Sequence, residues 1–351
     1  MDYVLVMTLC KYIWELLGLF ECFNETVAFQ TATQTLNEAI KKVDPYTNTE
    51  FWGELKFLLG TAYSMAGELQ MDNSKLEIAT EHFNNALAII EKQSLPTLWA
   101  KLQNNLGIVL VHIGERTSDF TKLAHAASSM KKALVACTLP SEDLFAIYIN
   151  FGNVFCVLGK FTDKTEYYAK SIALYKIALR FYTQTDSPEN YFKVRLALAE
   201  TLRSLGESRR DKACLKRSLK FLQIVLRDAD KNKHLLLWAK LQNNLAITLG
   251  TIGSICEDIR ASQKAYELAC FALDAARDHI SPSIWFLFHS KGNAALQLGQ
   301  QNRDVSLIKI AIATYESGIK IISPTDNRLP WEYLSEGLSF AYHALSEMDN
   351  S

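Results

Sequence analysis

Turn-forming residues are scarce in this sequence: 7 prolines and 15 glycines in 351 residues, against Ala, Leu, Lys, Glu and Gln that recur along the whole chain. No segment alternates apolar and polar residues with period two for long enough to make a strand, so a β-rich fold is not expected. An excess of charge is also missing, with a formal net charge of −1 and 21% charged residues. A domain that holds nucleic acid normally carries a basic surplus to displace counterions, so no nucleic-acid partner is expected. Apolar residues make up 49% of the chain, which excludes a disordered acidic or basic tail.

Catalytic and metal-binding signatures are missing as well. There is no G-x-S-x-G, P-loop, G-x-G-x-x-G or H-E-x-x-H, and the sequence reads as that of a non-enzyme. The seven histidines (His82, His112, His125, His234, His279, His289 and His343) never stand at i, i+4. The seven cysteines (Cys10, Cys22, Cys137, Cys156, Cys214, Cys256 and Cys270) contain no C-x-x-C pair and no Cys/His cluster at zinc spacing. An odd number of scattered cysteines reads as core thiols in a reducing compartment, hence the cytoplasm, with no metal and no cofactor. Tyr167, Tyr168, Tyr175, Phe181 and Tyr182 cluster at helical spacing and read as core packing.

What is present is a repeat. Trp99–Leu106 and Trp238–Leu245 are the same eight residues, W-A-K-L-Q-N-N-L, 139 positions apart. A glycine recurs at Gly18, Gly67, Gly114, Gly159, Gly206, Gly253 and Gly299, with spacings of 45 to 49. At this offset glycine is expected to supply the left-handed conformation that closes a helix. An Asx residue follows each time (Asn24, Asp72, Asp119, Asp163, Asp211, Asp258, Asp304), placed to cap the next helix, and Asp163 to Glu166 has capping-box spacing. The second helix of each repeat carries a small residue at one register, Ala39, Ala86, Ala133, Ala178, Ala272 and Gly318, with Val225 the exception. Proline tends to sit near the next helix entrance, at Pro45, Pro96, Pro140, Pro188, Pro282 and Pro330.

Each repeat therefore reads as helix, tight turn, helix and short loop. The expected fold is all-α: a right-handed α-solenoid of about seven helix-turn-helix hairpins plus a C-terminal capping helix over 331–347. The repeats fall at about 1–47, 48–95, 96–140, 141–187, 188–234, 235–281 and 282–326, forming one continuous domain over 1–351 with no Gly-, Ser- or Pro-rich linker.

These residues resemble the tetratricopeptide family. Its first-helix signature, Leu-Gly followed by an aromatic three positions on, is matched by Leu59-Gly60 with Tyr63. Leu110 replaces that aromatic after Leu106-Gly107, and Phe155 follows Phe151-Gly152. The W-A-K-L-Q-N-N-L-G phrase is similar to a long-repeat variant common in bacterial proteins. Repeats of about 46 residues against the family's 34 imply longer helices. The resemblance implies an extended concave surface lined by first helices and offered to a protein or peptide. Counted from the Leu-Gly pairs, its positions include Lys101, Asn104, Ile108, Asn153, Lys193, Glu200, Arg203, Lys240, Asn243, His289 and Asn293. Lys pairs with a carboxylate and Asn satisfies both groups of an extended backbone, the chemistry of a peptide clamp. The alternative is that the Asn residues bond within the repeats and the Lys residues are solvated.

Two functions remain open on this reading: an adaptor that presents a groove to a partner, or a ligand-responsive regulator of a partner enzyme. The ends differ in character. The C-terminal helix from Trp331 has a polar side, Glu332, Ser335, Glu336, Ser339, His343, Ser346 and Glu347, as a cap requires. The segment Tyr3–Phe23 is apolar almost all round, interrupted by Lys11, Glu15 and Glu21. Asp2 and the lack of a small-residue cleavage site argue against a signal peptide, and the interruptions argue against a membrane span. A helix apolar on all sides needs cover, so Val6, Ile13, Trp14 and Leu17 are expected to dock. The occupants, in order, are a second copy of the chain, a partner protein or a membrane.

Overall fold

Within each of two compact units, successive helices pack against one another. The computed structural model describes residues 9, 11–18, 26–137, 141–182, 188–228, 235–276, 284–322, 324 and 328–349, and among these all regular structure is helical. In chain order these are α1 (residues 11–18), α2 (Thr26–Lys41), α3 (Thr49–Leu69), α4 (Asn73–Leu87), α5 (Pro96–Thr117), α6 (Phe120–Ala136), α7 (Glu142–Thr162) and α8 (Thr165–Ala178). Then follow α9 (Pro188–Arg209), α10 (Lys212–Asp228), α11 (Leu235–Ile255), α12 (Ile259–Ala275), α13 (Trp285–Asn302), α14 (Val305–Lys320) and α15 (Arg328–Asp349). The fold is an all-α solenoid of helical hairpins, α3–α4 through α13–α14, with α1 and α2 before them and α15 after.

The chain divides into two compact units, Met1–Ala178 with α1 to α8 and Leu179–Ser351 with α9 to α15. Leu36, Leu55, Leu59, Leu76, Phe83 and Leu123 are fully buried in the N-terminal unit. Helix α7 has the length and hydropathy of a membrane span, yet Val154, Val157 and Leu158 on it belong to this core. The C-terminal unit is built on Trp238, Ile284, Leu287, Ile308, Tyr315 and Leu334. Helix α15 buries Leu334, Ala341 and Ala344 and turns Glu332, Glu336, Ser339, His343 and Glu347 to water, as a cap does.

Two of the residues expected on a docking end do not belong there. Ile13 and Leu17 stand one helical turn apart and are fully buried in the core of their own unit. That apolar stripe is covered internally, so the all-round apolar character of the helix does not demand an outside surface at these two positions. Trp14 is 48% exposed, and Val6 lies outside the described residues.

The recurrent glycines act differently from expectation. None of the described ones adopts a positive φ; Gly67, Gly114, Gly159, Gly206, Gly253 and Gly299 all lie inside their helices. The left-handed residue comes four positions later and is never glycine: Met71, Ser118, Asp163, Arg210, Glu257 and Arg303, with φ between 50° and 55°. The glycine carbonyl then accepts from the following N–H, as in Asp72 to Gly67 at 3.0 Å, Asp211 to Gly206 at 2.7 Å and Asp304 to Gly299 at 2.8 Å, which is the Schellman closure. Glycine is required at these positions by packing. A Cβ on Gly114 would stand 2.8 Å from Leu123, and one on Gly159 would stand 2.8 Å from Tyr168, each on the returning helix.

Asp72, Asp119, Asp211, Asp258 and Asp304 do cap the second helices through backbone N–H groups. The backbone N–H of Lys122 holds the Asp119 carboxyl below its usual range, and the Ser306 hydroxyl and N–H do the same for Asp304. Asp163 is the exception. It sits one register earlier, as the left-handed residue itself with φ 53°. Asn24 lies outside the described residues, as do Pro140 and Pro282. Pro96 opens α5 and Pro188 opens α9.

The exposed Arg210 holds φ 50°, a conformation in which a Cβ is crowded by the backbone. Arg210→Gly is therefore expected to stabilise the C-terminal unit by about 0.5–1 kcal/mol. Chemical denaturation checks this; an unchanged or lower midpoint would show that the turn carries no such strain.

Candidate functional site

Within each unit the first helices of the hairpins touch one another as well as their own partners: α3, α5 and α7 in one, α9, α11 and α13 in the other, with α15 joining α13. Each set makes a face, and the sequence-derived binding positions lie on these two faces.

The N-terminal face is cross-tied. Lys101 reaches Asp143 at 3.8 Å, and Lys160 reaches Glu115 at 3.5 Å. Asn150 donates to the Asn104 side-chain amide oxygen at 3.0 Å, and Asn105 donates to the Thr61 hydroxyl at 3.3 Å. Arg116 donates to the Gly67 carbonyl at 3.0 Å, and His112 pairs with Glu68. Burial alone would raise the Glu68 carboxyl, but the hydrogen bond and charge of His112, with Arg116 nearby, bring it below its usual value. Partly exposed ion pairs of this kind contribute about 0–1 kcal/mol each. Their larger consequence is that the polar groups are already engaged. Lys101 and Asn104, expected to clamp a ligand, join repeats instead. Ile108 packs against the core, and Asn153 accepts from the Tyr175 hydroxyl at 2.6 Å.

The C-terminal face starts from the same eight residues and diverges after them. Continuing the register beyond the shared phrase, Val111, His112, Glu115 and Arg116 correspond to Gly250, Thr251, Ser254 and Ile255. Aligned on the Gly152-Asn153 and Gly292-Asn293 pairs, Asn150 corresponds to Ser290. The charged side chains of His112, Glu115 and Arg116 are thus replaced by small or neutral residues, and space is left behind. A cavity of about 530 Å³ opens there, lined by residues of α11 and α13 with Glu207 of α9 at its edge.

Asn243 shows what the divergence does. It holds the place of Asn104 and is only 6% exposed, yet its amide oxygen has no hydrogen-bond partner. Below it the repeats remain joined through the backbone: Gln297 donates to the Gly250 carbonyl at 3.0 Å and to Ser262 at 2.9 Å, and Gln301 donates to the Gly253 carbonyl at 3.1 Å. Trp285 and Phe286 form an aromatic wall. Tyr333 of α15 stacks on Trp285 with ring centres 5.7 Å apart and planes 7° from parallel. His289 stands 6.1 Å from both of these rings and 6.4 Å from Tyr315. Asn293 accepts from the Tyr315 hydroxyl and turns its NH2 group to the His289 ring, 3.4 Å away. Glu207 is the sole charged lining residue among those described, and Arg203 engages it at 3.0 Å.

Of the sequence-derived positions, Asn243, His289 and Asn293 line this cavity, and Arg203 borders it through Glu207. Lys193 and Lys240 are exposed and Glu200 is half-buried, and none of the three lines it. Trp285, Phe286, Gly250 and Gln297 were missed. The signal for Gly250 was available in the two W-A-K-L-Q-N-N-L phrases, had they been aligned beyond their last shared residue.

Burial lowers the His289 pKa below the ordinary 6.5, with Glu336 opposing, so the ring is neutral at pH 7. In the N-terminal unit burial, with the Lys56 charge, brings His82 down to about 4. Between pH 6.5 and 4 the unfolded chain binds protons that the folded chain refuses. The stability linked to these groups is complete above pH 6.5 and is lost as the pH falls. Thermal melts are expected to drop between pH 7 and pH 5, with a shallower fall for His82→Gln; an identical slope in that variant would remove His82 from the account.

Among the described residues no group of three His, Cys, Asp or Glu side chains is placed to hold a metal ion. No protein-family model and no curated protein matches the chain. Among solved structures it is similar to a Rap protein complexed with Competence and Sporulation Factor, with a TM-score of 0.58 and 14% identity over 98% of this chain and 85% of that one. It also aligns with a circular tandem repeat protein of novel repeat topology, at a TM-score of 0.32 and 11% identity over 99% and 97%. The first likeness is one of fold.

Proposed function

We propose that the protein is a non-catalytic binding scaffold whose C-terminal unit holds a peptide segment of a partner protein on its first-helix face. The observation that carries this reading is the contrast between the two faces. Asn104 is tied to the next repeat by Asn150 in one unit, and in the other Asn243, at the same register, borders a cavity with its buried amide oxygen unbonded. A buried amide left without a partner costs about 1–3 kcal/mol, a debt that a ligand's hydrogen bond repays on binding. The volume falls within the roughly 300–1,000 Å³ range of ligand sites and suits one or two residues of a peptide. The similar Rap protein was solved with a bound factor, which supports ligand binding as a use of this fold.

The test is selection of a random peptide library on the full chain, followed by affinity measurements on matched variants. Asn243→Ala is expected to weaken the selected peptides about tenfold, whereas Asn104→Ala leaves them unchanged. Equal effects at the two positions, or no enriched peptide at all, would overturn the proposal.

A further inference from the structure

The chemistry of the cavity narrows what enters it. We propose that it receives a tryptophan or tyrosine side chain of the bound segment, with the side-chain N–H or O–H donated to the amide oxygen of Asn243. This rests on the scaffold reading above and goes one step past it, to the identity of the anchoring side chain.

Charge comes first. Glu207 is the sole charged lining residue among those described, and it is engaged by Arg203 at 3.0 Å. A carboxylate in the cavity would meet Glu207 and no lining cation. An ammonium or guanidinium would have to compete with Arg203 for its one counter-charge. A neutral group is therefore favoured.

Shape comes second. Trp285 and Phe286 present aromatic surface, and Ile247, Ile255 and Ala246 present aliphatic surface. Gly250 opens the floor: a Cβ there would meet nothing closer than 3.5 Å. Aromatic walls favour an aromatic guest through edge-to-face or offset contact.

Hydrogen bonding comes third. Asn243 is buried, and its oxygen lacks the donor that Asn150 supplies to Asn104 in the other unit. That oxygen is already out of reach of water, and a purely hydrocarbon guest such as phenylalanine would leave it unpaired. Tryptophan and tyrosine combine a large flat apolar body with a single donor, which matches both features.

The peptides selected on the full chain decide the matter. They are expected to carry a Trp or Tyr at one shared position. Replacing that residue by Phe, or a Trp by 1-methyltryptophan, should lower affinity about tenfold while the ring is retained. On the Asn243→Leu protein the Trp and 1-methyltryptophan peptides should bind alike. The methylated peptide needs no protein variant, so the donor is tested even where Asn243→Leu folds poorly. Peptides that depend on Asn243 but lack an aromatic donor, or that tolerate 1-methylation, would overturn this inference and leave the scaffold reading standing. In that event a main-chain N–H is the donor. Peptides indifferent to Asn243 would overturn both.

Discussion

Replacing Tyr315 by Ala should destabilise the C-terminal unit by about 3–5 kcal/mol, the usual cost of deleting a large buried ring. Tyr315 is fully buried in α14. Its ring lies so close to two glycines that a Cβ on Gly292 would stand 2.5 Å away, and one on Gly337 would stand 2.6 Å away. One ring thus joins α13 to the capping helix α15, and removing it leaves a cavity between three helices. Its hydroxyl also fixes the Asn293 amide that faces His289. Tyr315→Phe keeps the ring and should cost only about 1 kcal/mol. Gly292→Ala attacks the same contact from the other side by overpacking, for about 1–3 kcal/mol. Urea denaturation of the three variants checks the ranking. A loss below 1 kcal/mol for Tyr315→Ala would mean that α15 docks by other contacts.

Gly250→Val should reduce binding of any selected peptide by at least about tenfold, while the melting temperature stays close to that of the parent. The substitution places in the C-terminal face the residue that the N-terminal face has at the same register, Val111. The position tolerates a Cβ, with Gln297 at 3.5 Å and Ala265 at 3.9 Å as its nearest neighbours. The added methyl groups occupy the cavity itself. Ser290→Asn approaches the site by a second route, since it restores the side chain that ties Asn104 in the other unit. Peptides that bind Gly250→Val as they bind the parent do not use the cavity. A variant that melts much lower would show instead that the glycine serves packing, and Ser290→Asn then carries the test.

The helices, their order and the hairpin turns were legible because the repeat fixes all three. The glycines, the Asx caps and the small residues recur at one spacing, and each has one physical role per repeat. The role of the recurrent glycine was misread. Sequence shows where glycine stands, but only the packed hairpin shows that Leu123 or Tyr168 lies against its Cα. The left-handed residue four positions later is Met, Ser, Asp, Arg or Glu, and nothing in those side chains announces it. The binding positions were legible only as a register. Lys101 and Lys240, like Asn104 and Asn243, are identical in local sequence. They differ because Asp143 and Asn150 of α7 engage one pair, whereas Ser290 of α13 holds the register of Asn150 in the other unit. That difference lies in the neighbouring repeat, where the eight-residue match says nothing.

The claim that the C-terminal face is the binding face is tested most directly by photo-crosslinking. A peptide selected on the full chain, carrying a benzophenone at each position in turn, is bound, irradiated and mapped by mass spectrometry. The account predicts crosslinks within 243–255 and 285–297, the segments of α11 and α13 that line the cavity. Crosslinks confined to α3, α5 and α7 would contradict it.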